Sequence, residues 1–115
     1  MHEMLDIPKA IEQAGGNPDL AKELFTMLLN ELPGQKEKLN QAHAKGDNQA
    51  LWDHTHKLHG STAYCGVPAL HTATREMKEA IKQQASDISE VIQRLNKAID
   101  DLLIDGQTVL EQDWL

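Results

Sequence analysis

The chain has 115 residues and a formal charge of −7, with 11 Lys and Arg against 18 Asp and Glu. That length fits one domain able to bury a core without disulfide or metal support, and leaves no room for a second. The charge balance lacks the clustered cations that grip nucleic-acid phosphates, and Phe25, Trp52, Tyr64 and Trp114 are too few for a base-stacking platform.

Ala, Leu, Gln, Glu and Lys dominate while Val, Ile and aromatics are sparse, which favours helix over strand. Asp6 is placed to cap a short opening helix over about Ile7 to Ala14, with Pro8 among its first residues and Gly15-Gly16 as its stop. Asn17 caps a second segment that begins at Pro18 and repeats apolar residues at Leu20, Leu24, Met27 and Leu28. Pro33-Gly34 should kink or interrupt it, because proline lacks a backbone donor and crowds the preceding turn. One long bent helix from about Asp19 to Ala44 is expected, with two helices as the alternative. A third helix runs from Asn48 to about Cys65, capped by Asp47 or Asn48 and stopped by Gly66. Pro68 opens a fourth, with Leu70, Ala73, Met77 and Ile81 as its apolar stripe. Asp87 caps a fifth, whose buried side is Ile88, Val91, Ile92, Leu95, Ile99 and Leu102. After Asp105-Gly106 the pattern weakens into a frayed tail. Short links between the later helices make consecutive ones antiparallel neighbours. The expected fold is therefore all-α, an antiparallel up-down four-helix bundle with an additional short N-terminal helix. It forms a single domain over 1–115, with its core at about 5–104 and a tail at 105–115.

The third helix carries the most information. At about 100° per residue, Leu51, Thr55, Leu58, Thr62 and Cys65 form one narrow stripe, the predicted core face. Trp52, His56, His59, Gly60 and Ala63 share a different face, so His56 should stand out from the bundle with Gly60 one turn away. A glycine inside a helix costs about 0.8–1 kcal/mol relative to alanine. Close approach of a partner is a reason to keep one there, since small residues at Gly60 and Ala63 lower the surface around His56. An exposed imidazole approachable by a second protein suits nucleophilic acceptance of a phosphoryl group.

The segment His56-Lys57-Leu58-His59-Gly60-Ser61-Thr62-Ala63-Tyr64-Cys65-Gly66 resembles the motif of histidine phosphotransfer (HPt) domains, His-x-Leu-Lys-Gly-Ser-(small)-x-x-x-Gly. Leu28-Leu29-Asn30-Glu31-Leu32-Pro33 resembles the family's second helix with its Leu-Pro step. The run from His56 to Leu70 is most similar to the C-terminal HPt domain of BarA/GacS-type hybrid sensor kinases, and the likeness covers roughly Leu5 to Leu103. It implies that His56 is the phosphoryl acceptor and that Gly60 leaves room for a receiver domain. Leu58 matches the buried residue between them, and Gly66 the glycine that ends the helix. Where the family commonly has lysine this chain has His59, an auxiliary group that is cationic only in part near neutral pH but able to donate to a phosphoryl oxygen. The resemblance implies a phosphoryl carrier with no ATPase or autokinase activity of its own. The chain has no Walker loop and no compact acidic cluster, and Mg²⁺ is expected on the partner receiver. The implied partners are the receiver domain of its own hybrid kinase and then a GacA/UvrY-like response regulator.

Other features read more plainly. His54, His56, His59 and His71 raise a metal site, but no second cysteine or placed carboxylate completes a set, so no bound metal or cofactor is expected. Arg75 and Lys78 are expected to be solvated charges, Asp100-Asp101 a solvated surface, and Met27 and Met77 core filling. Trp52 is read as a partner contact. The rival functions are a phosphorylation-independent helical adaptor or dimerisation module, which would tolerate His56→Gln, and a His-rich metal-binding bundle. No apolar run approaches the roughly 20 residues that span a bilayer. Met1-His2-Glu3-Met4 lacks the blocks of a signal peptide, and lone Cys65 fits a reducing compartment. The expected setting is cytoplasmic, as the C-terminal domain of an inner-membrane sensor kinase, with no direct membrane contact and a monomer in isolation.

Overall fold

The computed structural model describes residues 5–84, 88–112 and 114. Among them are five helices and no strand: α1 (Ile7–Gln13), α2 (Pro18–Ala44), α3 (Asn48–Thr62), α4 (Pro68–Lys82) and α5 (Ser89–Leu110). Side chains cap three of the starts. The carboxylate of Asp6 accepts from the Lys9 amide, Asn17 from the Leu20 amide and Asp47 from the Ala50 amide, each satisfying a donor that has no partner within its helix. The expected cap of α5, Asp87, lies outside the described residues.

Helix α2 continues through Pro33 as one element of 27 residues, about 40 Å at 1.5 Å per residue, and so nearly spans the 45 Å long axis of the molecule. The proline ring is exposed, on the side away from the core. The buried stripe of α2 is Ala21, Phe25, Leu28 and Leu32, continued by Leu39 and Ala42. This corrects the predicted stripe. Leu20 is 39% exposed and Met27 is 53% exposed, so Met27 is surface and not core filling. Three leucines and a methionine at helical spacing outweigh the lone Phe25 in the pattern, yet the fold buries Phe25 completely.

Helix α2 packs on α3, α3 on α4, α4 on α5, and α5 returns to α2, while α1 lies against α2. The α2–α5 seam is partly polar. Asn40 and Asn96 exchange amide hydrogen bonds at 2.8 and 3.0 Å, and the Lys36 ammonium meets Asp100 at 2.6 Å. Asp100 is thus a cross-helix partner and not a purely solvated charge. On α4, Leu70, Ala73 and Met77 are buried as expected, with Ile81 half-buried.

The turn from α3 to α4 is tied to α1 through Gly66. The Gly66 carbonyl accepts from the Asp6 amide at 2.7 Å, and the Gln13 side chain accepts from the Gly66 amide at 3.0 Å. Its φ is +62°, and a Cβ there would stand 2.6 Å from the Asp6 carbonyl oxygen and 2.7 Å from Ala10 Cβ. Only glycine fits both the left-handed backbone and the contact. Helix α3 ends at Thr62, three residues before the expected Cys65, because the chain must already be turning to bring Gly66 under α1.

The described residues after Asp105-Gly106 are packed and not frayed. Helix α5 runs on to Leu110, Gly106 is buried beside Leu29, and Trp114 is 4% exposed with its ring centroid 5.8 Å from that of Phe25. The Trp114 indole N–H donates to the Val109 carbonyl at 3.1 Å. The short segment carries too little period to show this in sequence, but its one large aromatic closes the core over Phe25. Replacing Trp114 with alanine is expected to cost about 3 kcal/mol or more, read from urea denaturation. A loss under about 0.5 kcal/mol would restore the frayed-tail reading.

Candidate functional site

Helix α3 fixes the site by what it buries. Leu51, Thr55, Leu58, Thr62 and Cys65 are all buried, as the period predicts. His56 and Gly60 are exposed on the other side, with Trp52 and His59 half-buried at the flank. The rings of Trp52 and His56, one turn apart, stack with centroids 6.0 Å apart and planes 11° from parallel. A Cβ added at Gly60 meets nothing within 4 Å, so helix packing does not require this glycine and the space beside His56 is open. Ala63 is the C-cap of α3 and half-buried. It also lines a cavity of about 260 Å³ with Asp6, Lys9 and His71, facing α1 as much as the His56 surface.

His59 is held from α4 by a reciprocal clamp that the sequence did not disclose. Thr62 Oγ1 donates to the His59 carbonyl at 2.7 Å, and Thr74 Oγ1 donates to the His71 carbonyl at 2.8 Å. A hydroxyl has one proton, so each oxygen accepts in its remaining bond. Thr62 therefore accepts from His71 Nδ1 at 2.8 Å, and Thr74 accepts from His59 Nδ1 at 3.0 Å. The two imidazoles stack with centroids 4.4 Å apart. With Nδ1–H committed, Nε2 of neutral His59 carries a lone pair and cannot donate. Only the imidazolium form can offer a proton to a phosphoryl oxygen, which narrows the auxiliary role expected for this residue. Protonation is opposed, first by burial and then by the charges of His71, Lys78, His56 and Arg75, so the His59 pKa lies below the ordinary imidazole value. Burial, aided by Arg75, lowers His71 likewise.

Lys78 of α4 is not simply solvated. It is half-buried, with its ammonium 5.3 Å from the centroid of the Trp52 ring. Trp52, His59, Arg75, Lys78 and Lys82 line one depression of about 220 Å³, together with Glu79. On the other flank of α3, Met27 and Tyr64 line a second depression with Glu31 and Ser61, and Tyr64 is 61% exposed. The sequence pattern puts Met27 in the core and gives Tyr64 no place at the site. Their exposure depends on how α2 is rotated against α3, which periodicity alone does not give. Cys65 is no nucleophile. Burial, with the nearby Glu31 charge, pushes its thiol up to about 11, and it donates to the Ser61 carbonyl at 3.3 Å. Among the described residues no three His, Cys, Asp or Glu side chains come together as metal ligands.

Burial of the two imidazoles makes stability pH-dependent. Folded His59 and His71 bind protons less readily than unfolded histidines, which titrate near 6.5. Below that pH the unfolded chain takes up more protons, so stability present above it is lost on acidification. The melting temperature should drop between about pH 7.5 and about pH 5.5, and the double variant His59→Gln, His71→Gln should flatten that drop. An equal drop in the double variant would locate the pH dependence elsewhere.

Known proteins give this geometry a family. The Hpt domain model matches residues 23–105. The chain is 38% identical over 96 residues to the sensor protein GacS of Pseudomonas syringae pv. syringae, covering 84% of this chain and 11% of that protein. It is 29% identical over 108 residues to the histidine-protein kinase BarA of Escherichia coli K12, covering 92% of this chain and 12% of that protein. The chain thus spans only a small part of the length of these relatives. A crystal structure of the HPT domain from a Shewanella hybrid histidine kinase superposes with a TM-score of 0.88 at 31% identity, over 96% of both chains. No described helix is long and apolar enough to cross a membrane. The five-helix architecture, the motif at His56 and these relatives agree, and the chain belongs to the Hpt domain family of histidine phosphotransfer domains found in hybrid sensor kinases.

Proposed function

We propose that this domain accepts a phosphoryl group on His56 from a receiver-domain aspartate and passes it to the aspartate of a response regulator. The observation that carries this reading is the exposed His56 ring in the middle of α3, with open space at Gly60 one turn away. The lone pair of the outward imidazole nitrogen, taken as Nε2, attacks the phosphorus of an aspartyl phosphate in line. A P–N bond forms as the P–O bond breaks, and the aspartate carboxylate leaves with the electron pair. The second transfer runs these steps in reverse on another receiver. Positioning and charge neutralisation govern such a step, and Mg²⁺ on the receiver supplies part of the neutralisation.

A receiver would seat on the face formed by α2 and α3, where Trp52, Gly60, Met27 and Tyr64 offer small and apolar surface around the ring. Transient signalling contacts of this kind bury about 1,200 Å² or less. The closed series of contacts from α2 through α5, joined by short links, supports the antiparallel up-down four-helix arrangement with α1 laid across it. Likeness to GacS and BarA supports a cytoplasmic domain of a membrane sensor kinase. Its phosphoryl donor is then that kinase's own receiver, and its acceptor a GacA/UvrY-like regulator. In isolation the domain is taken as a monomer.

Phosphoryl transfer from a phosphorylated receiver tests the reading. Wild type should gain label that is lost in acid and survives base, while His56→Gln should gain none. Equal labelling of the two proteins would move the acceptor elsewhere. No label on folded wild type from any receiver would favour the adaptor reading. Gly60 gives a second check. Gly60→Gln should keep the fold, because its side chain enters open space, yet slow transfer by about tenfold or more by holding the receiver off the ring. Transfer at the wild-type rate would show that the space beside His56 goes unused.

A further inference from the structure

The phosphohistidine reading leaves one charge unaccounted for. A phosphoryl group on His56 brings up to two negative charges to a site whose neighbour on α3, His59, resists protonation through burial and the positive charges around it. His59 has its Nδ1 proton committed to Thr74 Oγ1, and its stacked partner His71 has its own committed to Thr62 Oγ1. Lys57, next to His56 on α3, is exposed and lies outside the depression that holds Trp52 and His59, whereas α4 brings cations into it.

Resting on that reading of His56, we propose that Lys78, reaching across from α4, is the cation that neutralises the phosphoryl group, and that Trp52 positions it. Three observations converge on this side chain. Its ammonium stands 5.3 Å from the Trp52 ring, and that ring stacks on His56. It lines the same depression as His59, one turn beyond His56, and its field acts on His59 more strongly than that of Arg75 does. Lys78 is therefore bracketed by the residues one turn before and one turn after the acceptor. Among the described residues it has no ion-pair partner, unlike Lys36, Arg94 and Lys97. A cation resting on an aromatic face keeps its charge available and gives up little to move onto a phosphoryl oxygen. Of the groups facing the site from α4, Glu79 is the acidic one, and its carboxylate already accepts from Gln83 at 3.0 Å. Arg75 and Lys82 are exposed and lie outside the stacked pair.

The test compares acceptance of label and the lifetime of phospho-His56 in wild type, Lys78→Gln, Lys78→Arg and Trp52→Leu, each checked by circular dichroism for an intact fold. Loss of one charge-assisted contact at a partly exposed site is expected to slow acceptance about tenfold in Lys78→Gln. Lys78→Arg should recover most of that loss, and the wild-type advantage should shrink as salt rises. Trp52→Leu should show a smaller loss with the same salt dependence. A Lys78→Gln domain within about twofold of wild type at low salt overturns the inference while leaving His56 as acceptor. An equal loss in Lys78→Arg also overturns it, since it would mark a role in packing and not in charge. Absence of label on wild type would overturn both this inference and the reading beneath it.

Discussion

Burial of one face of α3 is the constraint from which the rest of the site follows. Leu51, Thr55, Leu58, Thr62 and Cys65 are locked against the other helices, and Thr55 returns its hydroxyl to the Leu51 carbonyl at 2.7 Å so that this buried hydroxyl keeps a partner. Rotating α3 by one residue would drive His56 or His59 toward that core and expose Leu58. Each buried leucine of the stripe is worth roughly 1.5–3 kcal/mol in transfer from water. That exceeds anything an exposed imidazole gains from its surroundings. The orientation of His56 is therefore set by apolar packing on the far side of its helix.

Packing holds the ring outward, but charge decides what it can do, and the charges come from two helices. The clamp of Thr62, Thr74, His59 and His71 stitches α3 to α4 with two hydrogen bonds, and two more within the helices complete the hydroxyls, so both hydroxyls and both Nδ1 protons are satisfied. Burial of His59 and the positive charges around it disfavour its protonation, and leave Lys78, Arg75 and Lys82 as the fixed cations of that depression.

The ends of the bundle are closed by residues with little chemistry of their own. Gly66 lets α1 settle on the α3–α4 turn, and Trp114 covers Phe25 beyond the end of α5. Both bear on the site indirectly. Gly66 fixes where α3 stops, and hence that Ala63 turns toward α1; Trp114 braces α2, which presents Met27 beside Tyr64.

The sequence by itself determined the helices, their punctuation and the face on which His56 stands. These depend on local rules: a side chain capping the amides three residues on, proline at a first turn, and a period of 3.6. Such rules placed Asp6 and Asn17 correctly, narrowed the third cap to Asp47 or Asn48, and sorted the residues of α3 into buried stripe and open face. Tertiary structure alone decided the contacts made between helices. Nothing in the spacing of His59 and His71, separated by a turn, announces that their rings stack. Nothing in Lys78 distinguishes it from Lys82 until Trp52 is found beneath it. The stripe of α2 was misplaced by one step because Leu20 and Met27 outnumber Phe25 in apolar pattern, while only the shape of the shared core selects which of them is covered. Periodicity fixes a helix about its own axis; how two helices are rotated and slid against one another is settled by the packing of many side chains at once.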